Sequence, residues 1–138
     1  MKIMVCHDGS KNAQEALDKT IEMFKPLKPE IILITVVEVP LDASIDSEEI
    51  FQKWREDRHV FLMKKAKEVT DSGLEVDAIL AVGDPRRMIP EAADNKKPDI
   101  LAVGKRGGGG VTKMVLGSVS AFLVRHAHCP VLVFHEGG

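Results

Sequence analysis

Six of the 11 glycines, Gly104, Gly107, Gly108, Gly109, Gly110 and Gly117, fall in one stretch that opens at the end of an apolar run and closes on a helical one. Such clustering points to a backbone that approaches a ligand closely or takes positive φ, because glycine has no Cβ to clash. The stretch ends in Gly117-Ser118-Val119-Ser120. At a helix start the first N–H groups lack intrahelical partners and lie at the positive end of the dipole. Unpaired amides beside two hydroxyls make a phosphate site. Charge agrees with this reading: no acidic residue stands between Asp99 and Glu136, while Lys105, Arg106, Lys113 and Arg125 do. The plain alternative is a surface turn whose glycines confer only flexibility.

Two common phosphate loops are absent. No glycine is followed by Lys-Ser or Lys-Thr, and a GxGxxG pattern should follow the first strand, where only Gly9 stands. Asp8 is placed to bind a ribose hydroxyl or a metal held by phosphates, or else to serve as a turn residue before the first helix. His7 beside it is a base candidate whose ordinary reading is structural. His126, His128 and Cys129 have no fourth partner nearby in sequence, which argues against zinc. Trp54 and Phe61 form a helical stripe, read as core rather than as a nucleotide clamp, and the charges from Lys53 to Lys67 read as a solvated face.

The elements that must position these residues alternate strictly. Strands are expected at Lys2 to His7, Ile31 to Val39, Val76 to Val82, Ile100 to Val103 and Val131 to Phe134. Between them, Ala13, Ala16, Leu17, Thr20, Ile21 and Phe24 recur at helical spacing until Pro26 and Pro29 stop the pattern. Pro40 to Asp46 reads as a loop. A long polar helix follows from Ser47 to about Ser72, with Ile50, Trp54, Phe61, Leu62, Ala66 and Val69 as its inner face and Gly73 as its cap. Asp84 and Pro85 open a third helix that ends before Pro98, and Ser118 to His126 form the last. Alternation with apolar strands specifies a single doubly wound α/β domain over residues 1–138, a parallel sheet with helices on both faces. Such sheets bind ligands beyond the carboxyl ends of their strands, where the winding reverses.

Composition narrows the partners. The 138 residues carry 19 basic and 21 acidic side chains, a net charge of -2 that gives no general reason to expect nucleic acid. No apolar run reaches the roughly 18 residues needed to span a bilayer, and no secretory leader is visible. Cys6 and Cys129 are expected as free buried thiols in a reducing, cytoplasmic compartment.

Gly104-Lys105-Arg106-Gly107, nine residues, then Gly117-Ser118 resembles the G-x2-G-x9-G-[ST] signature of the universal stress protein family. Asp8-Gly9-Ser10 is similar to the family's opening motif, Asp99 to Gly104 to its strand-four entry, Leu116 to Ser120 to its strand-to-helix turn, and Cys129 to Val133 to its closing strand. The resemblance implies a five-stranded sheet of order 3-2-1-4-5 and a bound ATP, or its products ADP and AMP. Carried over by position, Val103, Gly104, Arg106 and Gly107 line the ribose and phosphate tail. Gly117, Ser118, Val119 and Ser120 hold the phosphates, Asp8 faces the ribose or Mg²⁺, and the Val37 backbone faces the adenine. Cys6 falls beside the base or ribose, where similar proteins often have a small, aliphatic or proline residue. The resemblance further implies a homodimer through Val131 to Phe134 and a nucleotide-dependent regulatory switch read by a protein partner. A slow ATPase or phosphohydrolase using Asp8 with a metal, and a dimeric scaffold without nucleotide, are the competing readings.

Overall fold

Runs of aliphatic and β-branched residues form the strands, and their alternation decides which helix each side chain meets. The computed structural model describes residues 1–38, 47–105 and 116–135. Strands β1 (Lys2–Cys6), β2 (Glu30–Val37), β3 (Val76–Val82), β4 (Ile100–Gly104) and β5 (Val131–Phe134) alternate with helices α1 (Lys11–Phe24), α2 (Ser47–Asp71), α3 (Pro85–Lys96) and α4 (Ser118–His126). All four strand pairings are parallel, in the order β3-β2-β1-β4-β5. The sheet is the one expected from the sequence. Ile3 and Val5 of β1, with Ile31 and Leu33 of β2, pack against Leu17 of α1 and Leu62 and Val69 of α2. Their neighbours Met4, Cys6, Ile32 and Ile34 point the other way, onto Ile89 of α3 and Leu123 of α4. Both faces of the central strands are therefore covered, as a parallel sheet requires.

Element ends differ from expectation by one or two residues. β1 stops at Cys6, although the His7 N–H still donates to the Ile34 carbonyl at 2.9 Å. β2 ends at Val37; Val39 and the loop expected at 40–46 lie outside the described residues. Gly73, at φ +92°, follows α2 in the left-handed conformation that a helix-ending glycine supplies. Asp84 caps α3 by accepting from the Arg86 N–H at 2.9 Å.

One larger correction concerns α2. Its inner face was expected to run from Ile50 to Val69, but Ile50 and Trp54 are each 47% exposed, and only Leu62, Ala66 and Val69 are buried. Length explains this. Twenty-five helical residues extend about 38 Å at 1.5 Å each, whereas the seven residues of β3 cover about 23 Å. The helix runs antiparallel to the strands, so its N-terminal half overhangs their carboxyl ends.

Two contacts fix the crevice between β1 and β4, where the winding reverses. A Cβ on Gly104 would stand 2.8 Å from the Ala13 nitrogen and 2.8 Å from the Asn12 carbonyl carbon. Helix α1 thus begins almost on the backbone of β4, and its first turn is capped by Ser10, whose hydroxyl accepts from the Ala13 N–H at 3.1 Å. The second contact is His7, 3% exposed. Its Nδ1 accepts the Gly9 N–H at 3.0 Å, so the proton sits on Nε2 and is donated to Gln14 Oε1 at 2.7 Å. Gln14 in turn donates to Glu68 Oε1 at 3.2 Å, joining β1, α1 and α2. Burial lowers the His7 pKa from its ordinary 6.5, against the opposing effect of the hydrogen bond that its Nε2 donates to Gln14. The structural reading of His7 holds, and both ring nitrogens are engaged.

Two substitutions test these contacts. Gly104→Ala forces a methyl against backbone, and overpacking of this kind costs about 1–3 kcal/mol; the urea midpoint should fall by that loss divided by the slope, with the slope itself unchanged. For His7, the unfolded chain gains a proton as pH drops through 6.5 while the native state resists it, so stability is lost on acidification. Thermal melts from pH 7 to 5 should decline more steeply for the wild type than for His7→Gln, which is less stable at pH 7. Parallel curves would show that His7 titrates freely in the native state.

Candidate functional site

A cleft of about 820 Å³ opens at the carboxyl ends of β1, β2 and β4. Its size suits a small-molecule ligand. Cys6, Asp8 and Ser10 come from β1 and the turn after it, Val37 and Glu38 from the end of β2, and Val103 and Gly104 from the end of β4. Gly117, Ser118, Val119 and Ser120 bring in the start of α4. Nine of the residues picked out in sequence therefore share one cavity: Cys6, Asp8, Val37, Val103, Gly104, Gly117, Ser118, Val119 and Ser120. Arg106 and Gly107 lie outside the described residues, as do Gly108, Gly109, Gly110 and Lys113.

The start of α4 is built for an anion. Gly117, the N-cap, has no side chain to occupy the amides of the first turn. Those of Ser118, Val119 and Ser120 have no intrahelical acceptor, because the first helical bond runs from the Ala121 N–H to the Gly117 carbonyl at 2.9 Å. The Gly117 N–H itself is spent on the Lys105 carbonyl at 2.8 Å. Ser120 departs from the role expected of it. Its hydroxyl, 1% exposed, donates to the carbonyls of Lys105 and Gly117. Ser120 thus pins the two ends of the glycine-rich segment together, and only the exposed Ser118 hydroxyl and the first-turn amides face outward. Gly104, too, lacks a side chain for a reason separate from any ligand, namely the α1 backbone against it.

Asp8 has a double character. Its Oδ1 accepts the Ser10 N–H at 2.9 Å, the turn role expected as the plain alternative, while Oδ2 makes no hydrogen bond among the described residues. Burial, then the charge of Asp8, pushes the Cys6 thiol far up, so it lines the cleft as a neutral apolar group. Cys129 is half-buried rather than buried, and its thiol is also raised by burial. The histidines near it are otherwise engaged: His128 pairs with Asp94 at 3.0 Å, and the His126 ring lies 4.3 Å from that of Phe122.

Sequence reasoning missed the wall supplied by α2. Trp54, Asp57, Arg58 and Phe61 all line the cleft, at the i, i+3, i+4 and i+7 spacing of one helical face. The reading of Trp54 and Phe61 as simple core is overturned, and the solvated face assigned to Lys53–Lys67 gives up Asp57 and Arg58. The signal was present as a mismatch of lengths, a 25-residue helix beside a sheet of much shorter strands. The lining carries three carboxylates, Asp8, Glu38 and Asp57, and among its described residues one cation, Arg58.

Comparison with known proteins agrees with this architecture. Residues 1–135 match the model of the universal stress protein family. Universal stress protein MJ0531 of Methanocaldococcus jannaschii is 33% identical over 136 residues, covering 96% of this chain and 80% of that protein. The solved structure of hypothetical protein MJ0577 superposes with a TM-score of 0.88 at 31% identity, over 99% of this chain and 96% of that one. A universal stress protein from Arabidopsis thaliana, At3g01520, solved with AMP bound, superposes with a TM-score of 0.76 at 26% identity, over 100% of this chain and 93% of that one. On its fold and on the match along its length, the chain belongs to the universal stress protein family.

Proposed function

We propose that the protein is an adenine-nucleotide-binding regulator, with ATP as its ligand, and that it works as a homodimer. The observation that carries this reading is the start of α4, where three first-turn amides without an acceptor among the described residues open on an 820 Å³ cleft at the switch point of the sheet. The adenine lies towards the backbone at Val37, the ribose at Asp8, and the phosphates on Ser118, Val119 and Ser120. AMP bound to the Arabidopsis relative supports the nucleotide class. The donor set suits Mg²⁺ as well: Asp8 Oδ2 is a hard oxygen, and this ion commonly takes one carboxylate with substrate phosphates. Arg106, Gly107, Lys105 and Lys113 belong to the same proposed phosphate cradle by their place in the sequence.

Regulation fits the residues better than turnover does. His7 is neutral with both ring nitrogens in use, so it offers no base, and no phosphate-loop lysine is present. A chain of bonds leads instead from the site to the sheet edge. Gly117 and Ser120 donate to the Lys105 carbonyl, and the Lys105 N–H donates to the Phe134 carbonyl of β5 at 2.5 Å. Phosphate on α4 loads that chain and shifts β5, the strand a second copy would meet.

The dimer reading rests on β5, which among the described residues pairs only with β4. The Pro130 and Phe134 carbonyls turn towards β4, where they accept from Leu101 and Lys105. By strand alternation, Val131 and Val133 turn their N–H and C=O to the open edge.

Nucleotide released on denaturing freshly purified protein should be ATP or a breakdown product, identified by chromatography and mass. Gly117 has φ -68° and ψ 167°, a conformation any residue adopts, so Gly117→Val tests the ligand space rather than the backbone. It should bind ATP at least tenfold more weakly by calorimetry (about 1.4 kcal/mol) with the melting temperature of the ligand-free protein retained. Unchanged affinity would remove the phosphates from α4, and no heat with wild-type protein would favour the scaffold. In sedimentation, the wild type should be a dimer, and Val133→Pro, which deletes an open-edge N–H, a monomer.

A further inference from the structure

The overhanging half of α2 has no core to build, yet it turns one face to the cleft. Phe61 lies deepest, its ring centroid 5.0 Å from that of His7 and perpendicular to it within 13° of a right angle, at 77°. One turn earlier, the Arg58 guanidinium carbon sits 5.4 Å from the Phe61 ring centroid. Its Nη1 is 3.0 Å from where a Gly9 Cβ would stand, so the guanidinium lies directly over the Asp8-Gly9-Ser10 turn. Gly9, at φ +91°, makes room for it. Arg58 forms no ion pair among the described residues, and it is the one described cation in a lining with three carboxylates. Another turn towards the helix start stands Trp54, a large indole that lines the same cleft while 47% exposed.

An aromatic surface at the mouth and an oriented guanidinium below it match the two halves of a nucleotide. Any base presents a π-face to an indole, and stacking of this kind is tolerant of base identity. A guanidinium held by a ring and a turn has already lost much of its rotamer freedom and meets a phosphate in bidentate fashion. We propose that α2 is a second ligand wall in which Trp54 stacks on the nucleotide base and Arg58 takes a phosphate oxygen, so that the ligand is held between α2 and the start of α4. This rests on the nucleotide reading of the cleft and adds to it residues that the family motifs do not contain. It also predicts a site selective for the presence of a base and a phosphate more than for the kind of base.

The test uses the whole protein and four probes, AMP, GMP, adenosine and ribose 5-phosphate, with affinities from calorimetry. Trp54 is the only tryptophan and the chain has no tyrosine, so intrinsic emission reports on this residue alone. Saturating AMP should quench or shift that emission with the calorimetric Kd. Trp54→Ala should weaken AMP and GMP about tenfold, in line with the loss of one base–aromatic stack, and leave ribose 5-phosphate unchanged; Trp54→Phe should restore most of the affinity. Arg58→Gln should weaken AMP and ribose 5-phosphate by a common factor of about tenfold, the scale of one charge-assisted bond, while adenosine is unaffected. Wild-type affinity for AMP in Trp54→Ala, or unaltered emission while calorimetry registers binding, overturns the α2 wall and leaves the nucleotide site standing. No heat from AMP with wild-type protein overturns the α2 wall, and no heat from ATP as well overturns the nucleotide reading it rests on.

Discussion

Helix α1 begins where a side chain on β4 would otherwise be. The Asn12 and Ala13 backbone comes within 3 Å of the position a Gly104 Cβ would occupy, whereas a Cβ at Gly9 or Gly83 would meet only side chains and one at Gly73 would meet nothing. Much of the site follows from that approach. Because α1 cannot start elsewhere, Ser10 must cap it, Gly9 must turn with φ +91°, and Asp8 must stand at the rim of the crevice. His7 then holds the turn from below through Gly9, and the helix beside it through Gln14. On the far side of the crevice, β4 passes into Lys105, whose carbonyl gathers the Gly117 amide and the Ser120 hydroxyl. One backbone contact thereby sets the distance between the carboxylate side of the cleft and its amide side.

How far this was legible in the sequence depends on the range of the interaction involved. Strand and helix order, the Asp84 cap and the Gly73 terminator are local, and periodicity or turn chemistry reveals them. The glycine-rich stretch was visible too, but the work of its members was not. Gly104 reads in sequence as a ligand-approach glycine, whereas the structure gives its missing Cβ to α1. Ser120 reads as a phosphate hydroxyl, whereas it closes the base of the turn. Both depend on partners 91 and 15 positions away, measured from Ala13 to Gly104 and from Lys105 to Ser120, which no local rule names. Trp54 and Phe61 failed for another reason. Their spacing fits an inner helix face, and only comparison of helix length with strand length shows that this part of the face lies past the sheet.

Charge in the cleft deserves a physical account, since three carboxylates and one described cation make a poor pocket for a polyphosphate if counted as point charges. Point charges are the wrong measure at a helix start. The first-turn amides of α4 act at hydrogen-bond distance, where the partial positive end of the helix is worth most, and they need no counter-ion of their own. A carboxylate such as Asp8 then repels a bare phosphate but attracts one that brings a divalent cation, so the same residue that opposes free anion favours the metal complex. On the proposed nucleotide reading, the acidic lining would therefore act as a filter on the ionic form of the ligand rather than as a bar to it.

Occupancy of such a site matters to a partner only if it changes something at the surface, and the hydrogen-bond chain through Lys105 supplies a short route. Its carbonyl faces α4 and its N–H faces Phe134, so this one residue, through two successive peptide units, joins the start of α4 to the last residue of the edge strand. Each of the two peptide planes is rigid, and they are hinged only at the Lys105 Cα. On the proposed reading, movement of Gly117 or Ser120 that tilts the Lys105 carbonyl would reach β5 through the Lys105 φ and ψ and the N–H on the other side of its Cα. The open-edge groups at Val131 and Val133 belong to the same short strand, and on the proposed dimer reading a rotation of that strand would alter how well they meet a second chain. Coupling between two sites needs a physical element that both of them bias, and on the proposed function Lys105 is the candidate, set between the helix that would hold the phosphates and the edge that would hold the partner.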